Sequence, residues 1–218
     1  MGHGAQSKSS PRLLRYLSLD SGGNCGNRSG CPTMLVGSMN IRLATEADRD
    51  AIWNIFREVV AAGDTYALDP NISREDALAY WFAPGTHTYV AEHPAIGIAG
   101  TYILRPNQSG GGAHVANAGF MVSAGTRGYG IGRTMAEHCL GEARRLGFRA
   151  MQFNYVISTN TAAIHLWEDL GFEIVGTLPS AFRHPDKGYI DVHVMYRSLM
   201  ITSEKTLTDC GIEPENVG

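Results

Sequence analysis

The segment from Met121 to Arg133 combines residue types and spacing that predict a binding site. It reads Met-Val-Ser-Ala-Gly-Thr-Arg-Gly-Tyr-Gly-Ile-Gly-Arg and lies where a predicted strand passes into a predicted helix. Glycine lets a ligand approach the backbone closely, and unbonded N–H groups at a helix start can hold phosphate oxygens. The composition therefore predicts an anion site. The alternative is a turn in which the glycines provide only backbone flexibility.

Two common phosphate-binding motifs do not fit this segment. The spacing Gly128-x-Gly130-x-x-Arg133 lacks the third glycine of the dinucleotide fingerprint. A Gly-Lys-Ser/Thr sequence, which a Walker loop requires, does not follow either. The segment is therefore predicted to bind an anion in another way.

Two asparagines stand in predicted strands, where their residue type is depleted. Asn117 lies within residues 113–122 and Asn154 within residues 149–156. By two-residue alternation Asn117 shares a face with Gly119, and Asn154 shares a face with Gln152, so one polar cluster forms if the strands are neighbours. The alternative is a pair of buried asparagines that bond the backbone where two strands separate.

The predicted strands and helices determine where the glycine-rich segment and the two asparagines lie. The order β-α-α-β-β-β-α-β-α-β-β predicts an α+β protein with a single mixed sheet flanked by helices. Predicted strands cover residues 40–43, 86–92, 96–104, 113–122, 149–156, 172–176 and 189–197. Predicted helices begin at Thr45 and Ser73 and cover residues 131–146 and 161–170.

The two ends of the chain differ from this core. Residues 1–38 are rich in Ser, Gly and Asn and are predicted to be a disordered extension. The basic stretch 11–17 resembles an organelle transit segment. The alternative is that translation starts upstream at Met1, with Met34 or Met39 as a second possible start site. Residues 39–199 form the predicted domain, and residues 200–218 are predicted to be a loose tail.

Composition excludes several classes of partner. The chain has 218 residues, 44% hydrophobic and 18% charged, with a formal charge of −3, so we expect one folded domain that does not bind nucleic acid. No apolar run is long enough to cross a membrane. Four scattered cysteines favour a reducing, cytoplasmic location, and histidines without partners at ligand spacing predict no metal site.

Two motifs resemble those of a known superfamily. Arg127-x-x-Gly130-x-Gly132 at a strand-to-helix junction, followed by the block from Asn160 to Phe172, is similar to the GNAT acyl-CoA N-acyltransferases over about residues 39–198. The resemblance implies a mostly antiparallel sheet, acetyl-CoA as cosubstrate, and direct attack of an amine through a tetrahedral intermediate. The residues it implies for acetyl-CoA are Met121, Val122, Arg127, Gly128, Tyr129, Gly130, Ile131, Gly132, Arg133 and Asn160.

A narrower likeness concerns the acceptor. Residues 115–122, 149–154 and 176–185 resemble the fungal azetidine-2-carboxylate N-acetyltransferases, in which two strand asparagines line the amino-acid pocket. Asn117 and Asn154 stand at the matching places, which implies a small amino or imino acid as partner. Acetylation of proteins or peptides, a non-catalytic acyl-CoA module and a homodimer stay open alternatives.

Acetyl transfer also requires groups that remove the amine proton, stabilise the oxyanion and protonate the leaving thiolate. An alkylamine with a pKa of about 10 must lose a proton before it attacks. The resemblance implies that a backbone N–H near Met121 or Val122 holds the oxyanion, and that Trp167 replaces the tyrosine that protonates the leaving thiolate in many members. An indole N–H is not an acid near neutral pH. Other candidates, each also explained by packing, are Tyr155, Tyr129 and Tyr66.

Overall fold

The computed structural model describes residues 39–200. The predictions for residues 1–38 and for the tail from residue 201 lie outside the described residues. Among residues 39–200, no helix is long and apolar enough to cross a membrane.

One seven-stranded sheet forms the centre of the protein. The strands are β1 Asn40–Leu43, β2 His87–His93, β3 Gly97–Pro106, β4 Val115–Val122, β5 Ala150–Ile157, β6 Glu173–His184 and β7 Gly188–Ser198. Their order in the sheet is β1-β2-β3-β4-β5-β7-β6, and neighbouring strands are antiparallel except β4 and β5, which are parallel. The predicted mixed α+β fold is confirmed.

Four α-helices flank the sheet: α1 Arg49–Ala61, α2 Arg74–Trp81, α3 Ile131–Arg145 and α4 Thr161–Asp169. The helix predicted to begin at Thr45 starts with a 3₁₀ turn, Glu46–Asp48, before the α-helical part. Thr45 and Asp48 form a capping box there, and this bonding closes the tighter turn. Ser73 caps α2 by accepting a hydrogen bond from the Asp76 N–H.

Each face of the sheet carries its own hydrophobic core, because side chains alternate along each strand. Ile103 of β3 packs with α1 and α2 on one face, in a cluster that includes Phe56 and Trp81. Tyr102, its neighbour in sequence, packs with α3 on the other face, beside Met135. The two cores fix β3 and β4 between the helices.

Strand β6 is longer than the sequence predicted. The predicted strand ended at Gly176, whereas β6 continues to His184. Its pairing with β7 shifts between Leu178 and Phe182, and Ser180 within the shift has φ 54°. Pro179 and the bulge hide the strand from two-residue periodicity, since a bulge moves side chains out of alternation.

Candidate active site

The parallel strands β4 and β5 are paired only at their beginnings. Val115 pairs with Ala150 and Ala116 with Met151, and the ladder ends there although both strands continue. Beyond that point Phe120 of β4 and Phe153 of β5 lie edge to face on the α3 side of the sheet, with ring centroids 6.3 Å apart. The two strands therefore leave a gap at their carboxyl ends.

The direction of each peptide group along β4 determines which N–H groups face this gap. The Ser123 N–H donates to Ala99 O at 2.9 Å, and Val115 O accepts from the Asn107 N–H at 2.8 Å. Since these groups alternate along an antiparallel strand, the N–H of Met121 points to β3 and that of Val122 points toward the gap. Of the two sequence candidates for an oxyanion donor, Val122 has the suitable orientation.

A cleft of about 650 Å³ opens at this gap. Its wall comes from parts of the chain that are far apart in sequence: the segment 64–68 that joins α1 to α2, strands β3, β4 and β5, the start of α4, and the β6–β7 turn. Asn117, Val122, Arg127, Asn154, Tyr155 and Asn160, all predicted from the sequence, line it.

The glycine-rich segment ends in a helix start without a side-chain cap. Gly128 and Gly130 have φ values of 84° and 78°, a conformation that residues with a Cβ rarely adopt. Within residues 39–200 no side chain caps α3, and the first turn of this helix contains no acidic residue. The first intrahelical hydrogen bond is donated by Thr134, to Gly130 O at 3.1 Å. The preceding N–H groups are left for an anion, and the helix dipole favours negative charge there.

Three residues that were predicted to bind acetyl-CoA also contact other parts of the protein. Arg133 pairs with Asp169 of α4 at 2.6 Å, so it joins α3 to α4. Tyr129 packs against the core beside α3. Asn160 caps α4 through its side-chain oxygen, which accepts from the Ala163 N–H at 3.3 Å. Arg127, in contrast, is exposed and lines the cleft.

The two strand asparagines lie in one chain of hydrogen bonds. Asn117 Nδ2 donates to Gln152 O at 2.9 Å, and Gln152 Nε2 donates to Asn154 Oδ1 at 2.8 Å. Asn154 Nδ2 donates to Asn107 Oδ1 at 2.6 Å. Asn117 thus bonds the backbone where the strands separate, as the alternative interpretation expected, while Asn154 bonds side chains only and is exposed.

The tyrosines near the cleft differ in their surroundings. Tyr66 donates to Phe120 O at 2.9 Å, and burial raises the pKa of its hydroxyl well above the usual value, so it stays protonated. Tyr155 donates to Ala181 O in the bulge of β6. Trp167 is buried with its ring centroid 4.6 Å from that of Phe153, a packing role.

Several cleft residues were not identified from the sequence. They are Asp64, Thr65, Arg105 and Lys187, all of which line the cleft. None of them belongs to a motif, and they reach the cleft from two loops and the far end of β3. One signal could have identified Arg105: it pairs with Asn117 between β3 and β4, so it lies beside a residue that the sequence predicted for the site.

Residues 49–172, which contain the gap, the glycine-rich segment and the capped start of α4, match the acetyltransferase (GNAT) family. The chain belongs to this family. The N-acetyltransferase aca1 of Schizosaccharomyces pombe is 33% identical over 151 residues, which span 62% of this chain and 72% of aca1. The L-amino acid N-acyltransferase MnaT of Escherichia coli is 27% identical over 148 residues, 65% of this chain and 83% of MnaT.

Solved structures agree with the family. A GCN5-related N-acetyltransferase from Kribbella flavida superposes with a TM-score of 0.71 and 45% identity, covering 74% of this chain and 98% of that one. Two further similar structures contain acetyl-CoA. The protein is therefore an N-acetyltransferase with acetyl-CoA as cosubstrate. The uncapped start of α3 and the Val122 N–H fit a pyrophosphate and a thioester carbonyl respectively.

Proposed function

We propose that this acetyltransferase acetylates the nitrogen of a small free amino or imino acid. The observation on which the proposal rests is the polar chain of Asn117, Gln152 and Asn154 beside the gap between β4 and β5. Asn117 and Asn154 line the cleft, and this position supports their contact with an acceptor that approaches a thioester held by β4. Amide groups donate and accept hydrogen bonds, so they suit a carboxylate and a nitrogen on one small molecule.

The charges in the cleft support a zwitterionic acceptor. Arg105 and Lys187 line it together with Asp64, so charges of both signs face the same space. The name of MnaT, an L-amino acid N-acyltransferase, points the same way. The resemblance of residues 115–122 and 149–154 to the azetidine-2-carboxylate acetyltransferases supports an imino acid within this class.

In this proposal the acceptor ammonium first loses a proton to water. Its nitrogen then attacks the acetyl carbonyl directly, and the chain's own groups assist this attack. Val122 donates its N–H to the developing oxyanion, as the orientation of β4 allows. Asn117 and Asn154 position the acceptor. Tyr155, which is 40% exposed and lines the cleft, is the proposed acid for the leaving thiolate. A Tyr155→Phe change should then lower kcat and leave the KM for acetyl-CoA unchanged.

Thiol release from acetyl-CoA by the full chain tests the acceptor class. The panel contains proline, azetidine-2-carboxylate, several α-amino acids, spermidine and a short peptide with an unblocked N-terminus. We expect kcat/KM for one amino or imino acid to exceed that for spermidine and the peptide by at least about tenfold. The amide of the best acceptor, which lacks the carboxylate, is the matched control and should react more slowly. Preference for the peptide or for spermidine would overturn the proposal.

A further inference from the structure

Two neighbouring residues in the cleft wall contain buried oxygen atoms without a hydrogen-bond donor. Asp64 Oδ1 and Thr65 Oγ1 have no hydrogen-bond partner among residues 39–200. Native proteins pair the large majority of buried polar atoms, so adjacent unpaired oxygens require an explanation. Both residues line the cleft, where a ligand could supply the missing donors.

The segment that carries these residues is attached to the strand that faces the gap. The next residue, Tyr66, donates its hydroxyl hydrogen bond to Phe120 O of β4 at 2.9 Å. A Cβ at Gly119 of β4 would lie 3.2 Å from the Tyr66 hydroxyl oxygen, so the segment and the strand are in close contact. Asp64 and Thr65 are therefore held on the side of the cleft that leads to the β4–β5 gap.

The charges identify the kind of group that would pair with these oxygens. Among the described residues that line the cleft, Asp64 carries the only carboxylate, while Arg105, Arg127 and Lys187 are cations. An ammonium group has donors only, and it pairs with a carboxylate rather than with cations. A secondary ammonium has two N–H groups, which equals the number of buried unpaired oxygens on the two side chains.

We infer that Asp64 and Thr65 bind the amine end of the acceptor, with Asp64 Oδ1 and Thr65 Oγ1 accepting its N–H hydrogen bonds. The inference rests on the proposed function and adds the orientation of the acceptor, with its amine end toward Asp64 and Thr65. Asp64 is the charged contact and Thr65 the neutral one. Together they select an acceptor whose reacting nitrogen is protonated on arrival, over a neutral nitrogen such as that of an amide.

Kinetics of paired variants test this assignment in the full chain, with the best amino or imino acid from the panel. Asp64→Asn removes the charge, Asp64→Ala removes the acceptor as well, and Thr65→Val removes the hydroxyl at constant shape. The matched controls are Thr65→Ser, which keeps a hydroxyl, and Asp69→Asn, which makes the same charge change at an exposed position just after the segment 64–68.

We expect the acceptor KM to rise at least tenfold in Asp64→Asn, further in Asp64→Ala, and about threefold to tenfold in Thr65→Val. The KM for acetyl-CoA should stay within twofold. Tm should not fall, because Asp64→Asn removes the charge of a carboxylate that has an unpaired buried oxygen, and Asp64→Ala and Thr65→Val each remove an unpaired buried oxygen. Wild-type acceptor kinetics in Asp64→Ala and Thr65→Val would overturn the inference and leave the proposed function intact. Absence of thiol release from the wild type with every amino and imino acid would overturn both.

Discussion

The hydroxyl of Tyr66 donates a hydrogen bond to the main-chain oxygen of Phe120 at 2.9 Å, across 54 positions of sequence. This bond joins the α1–α2 segment to the strand whose N–H groups face the gap. Tyr66→Phe leaves Phe120 O without that donor, so we expect kcat/KM for the acceptor to fall about threefold to tenfold. The KM for acetyl-CoA should not change.

The pH profile separates this positioning role from acid catalysis by Tyr66. Because burial raises the pKa of the Tyr66 hydroxyl above its usual value of about 10, the group stays protonated through the working range. Activity of the wild type and of Tyr66→Phe should therefore show the same alkaline limb up to about pH 10. An alkaline limb present in the wild type and lost in the variant would contradict the positioning role.

Gly132 offers a clean test of the anion site at the start of α3. A Cβ there would lie 3.9 Å from side-chain atoms of Leu166 and Val122, which is ordinary contact, so Gly132→Ala should fold and bind acetyl-CoA nearly normally. Gly132→Asp adds a negative charge that favours the helix start but repels a pyrophosphate. We expect its affinity for acetyl-CoA, measured by calorimetry, to fall by about a hundredfold.

Gly132 is a better position than Gly130 for this experiment. Gly130 has φ 78°, so any substitution there strains the backbone and confounds binding with folding. Unchanged acetyl-CoA affinity in a folded Gly132→Asp protein would remove the anion-site assignment.

The two strand asparagines should respond differently to truncation. Asn154 is exposed and bonds other side chains, so Asn154→Ala should keep the wild-type Tm while kcat/KM for the acceptor falls about tenfold to a hundredfold. Asn117→Ala also leaves Gln152 O without its side-chain donor, so it should lose about 1–3 kcal/mol of stability in addition. Thermal unfolding and steady-state kinetics on both substrates measure these effects. Stability loss with normal acceptor kinetics in both variants would exclude the pocket role.

Asp48 should make a pH-dependent contribution to stability. Its carboxylate binds Arg42 at 2.7 Å and the Thr45 N–H at 2.7 Å, and the hydrogen bond with Arg42 above all holds the pKa of Asp48 well below its usual value. A depressed carboxyl pKa stabilises the fold above the unfolded pKa of about 4, and the contribution is lost as pH falls below that. We expect Asp48→Asn to cost about 1.5–3 kcal/mol at pH 7.

Urea unfolding at pH 7, 5 and 3 measures this contribution. The difference between the wild type and Asp48→Asn should stay constant from pH 7 to 5 and shrink at pH 3. Asp50→Asn is the control, since the ion pair of Asp50 with Arg74 is exposed and should contribute less than about 1 kcal/mol. An equal loss in both variants at all three pH values would contradict the prediction.

The sequence alone predicted the order of elements, because that order depends on local signals. The anion site depends on the same kind of signal and stays a prediction. Helix α3 has a stripe of buried residues and a glycine-rich start, and β4 shows the composition of a strand, so their boundaries lie close to those predicted. The motifs at Arg127–Gly132 and Asn160–Phe172 indicated the GNAT family, and the family match confirms this. The long β6 was missed because its bulge breaks the period on which strand prediction depends.

Only the tertiary structure decided which residues share the part of the cleft that we propose for the acceptor. Asn117 and Asn154 are 37 positions apart and line the same cleft because β4 and β5 are neighbours that separate after two pairs. Asp64, Thr65 and Arg105 carry no motif, since a loop residue and the end of a strand have no periodic signal. The unpaired oxygens of Asp64 and Thr65 become visible only when every neighbouring donor has a position, because hydrogen-bond satisfaction is a property of the packed chain and not of local sequence.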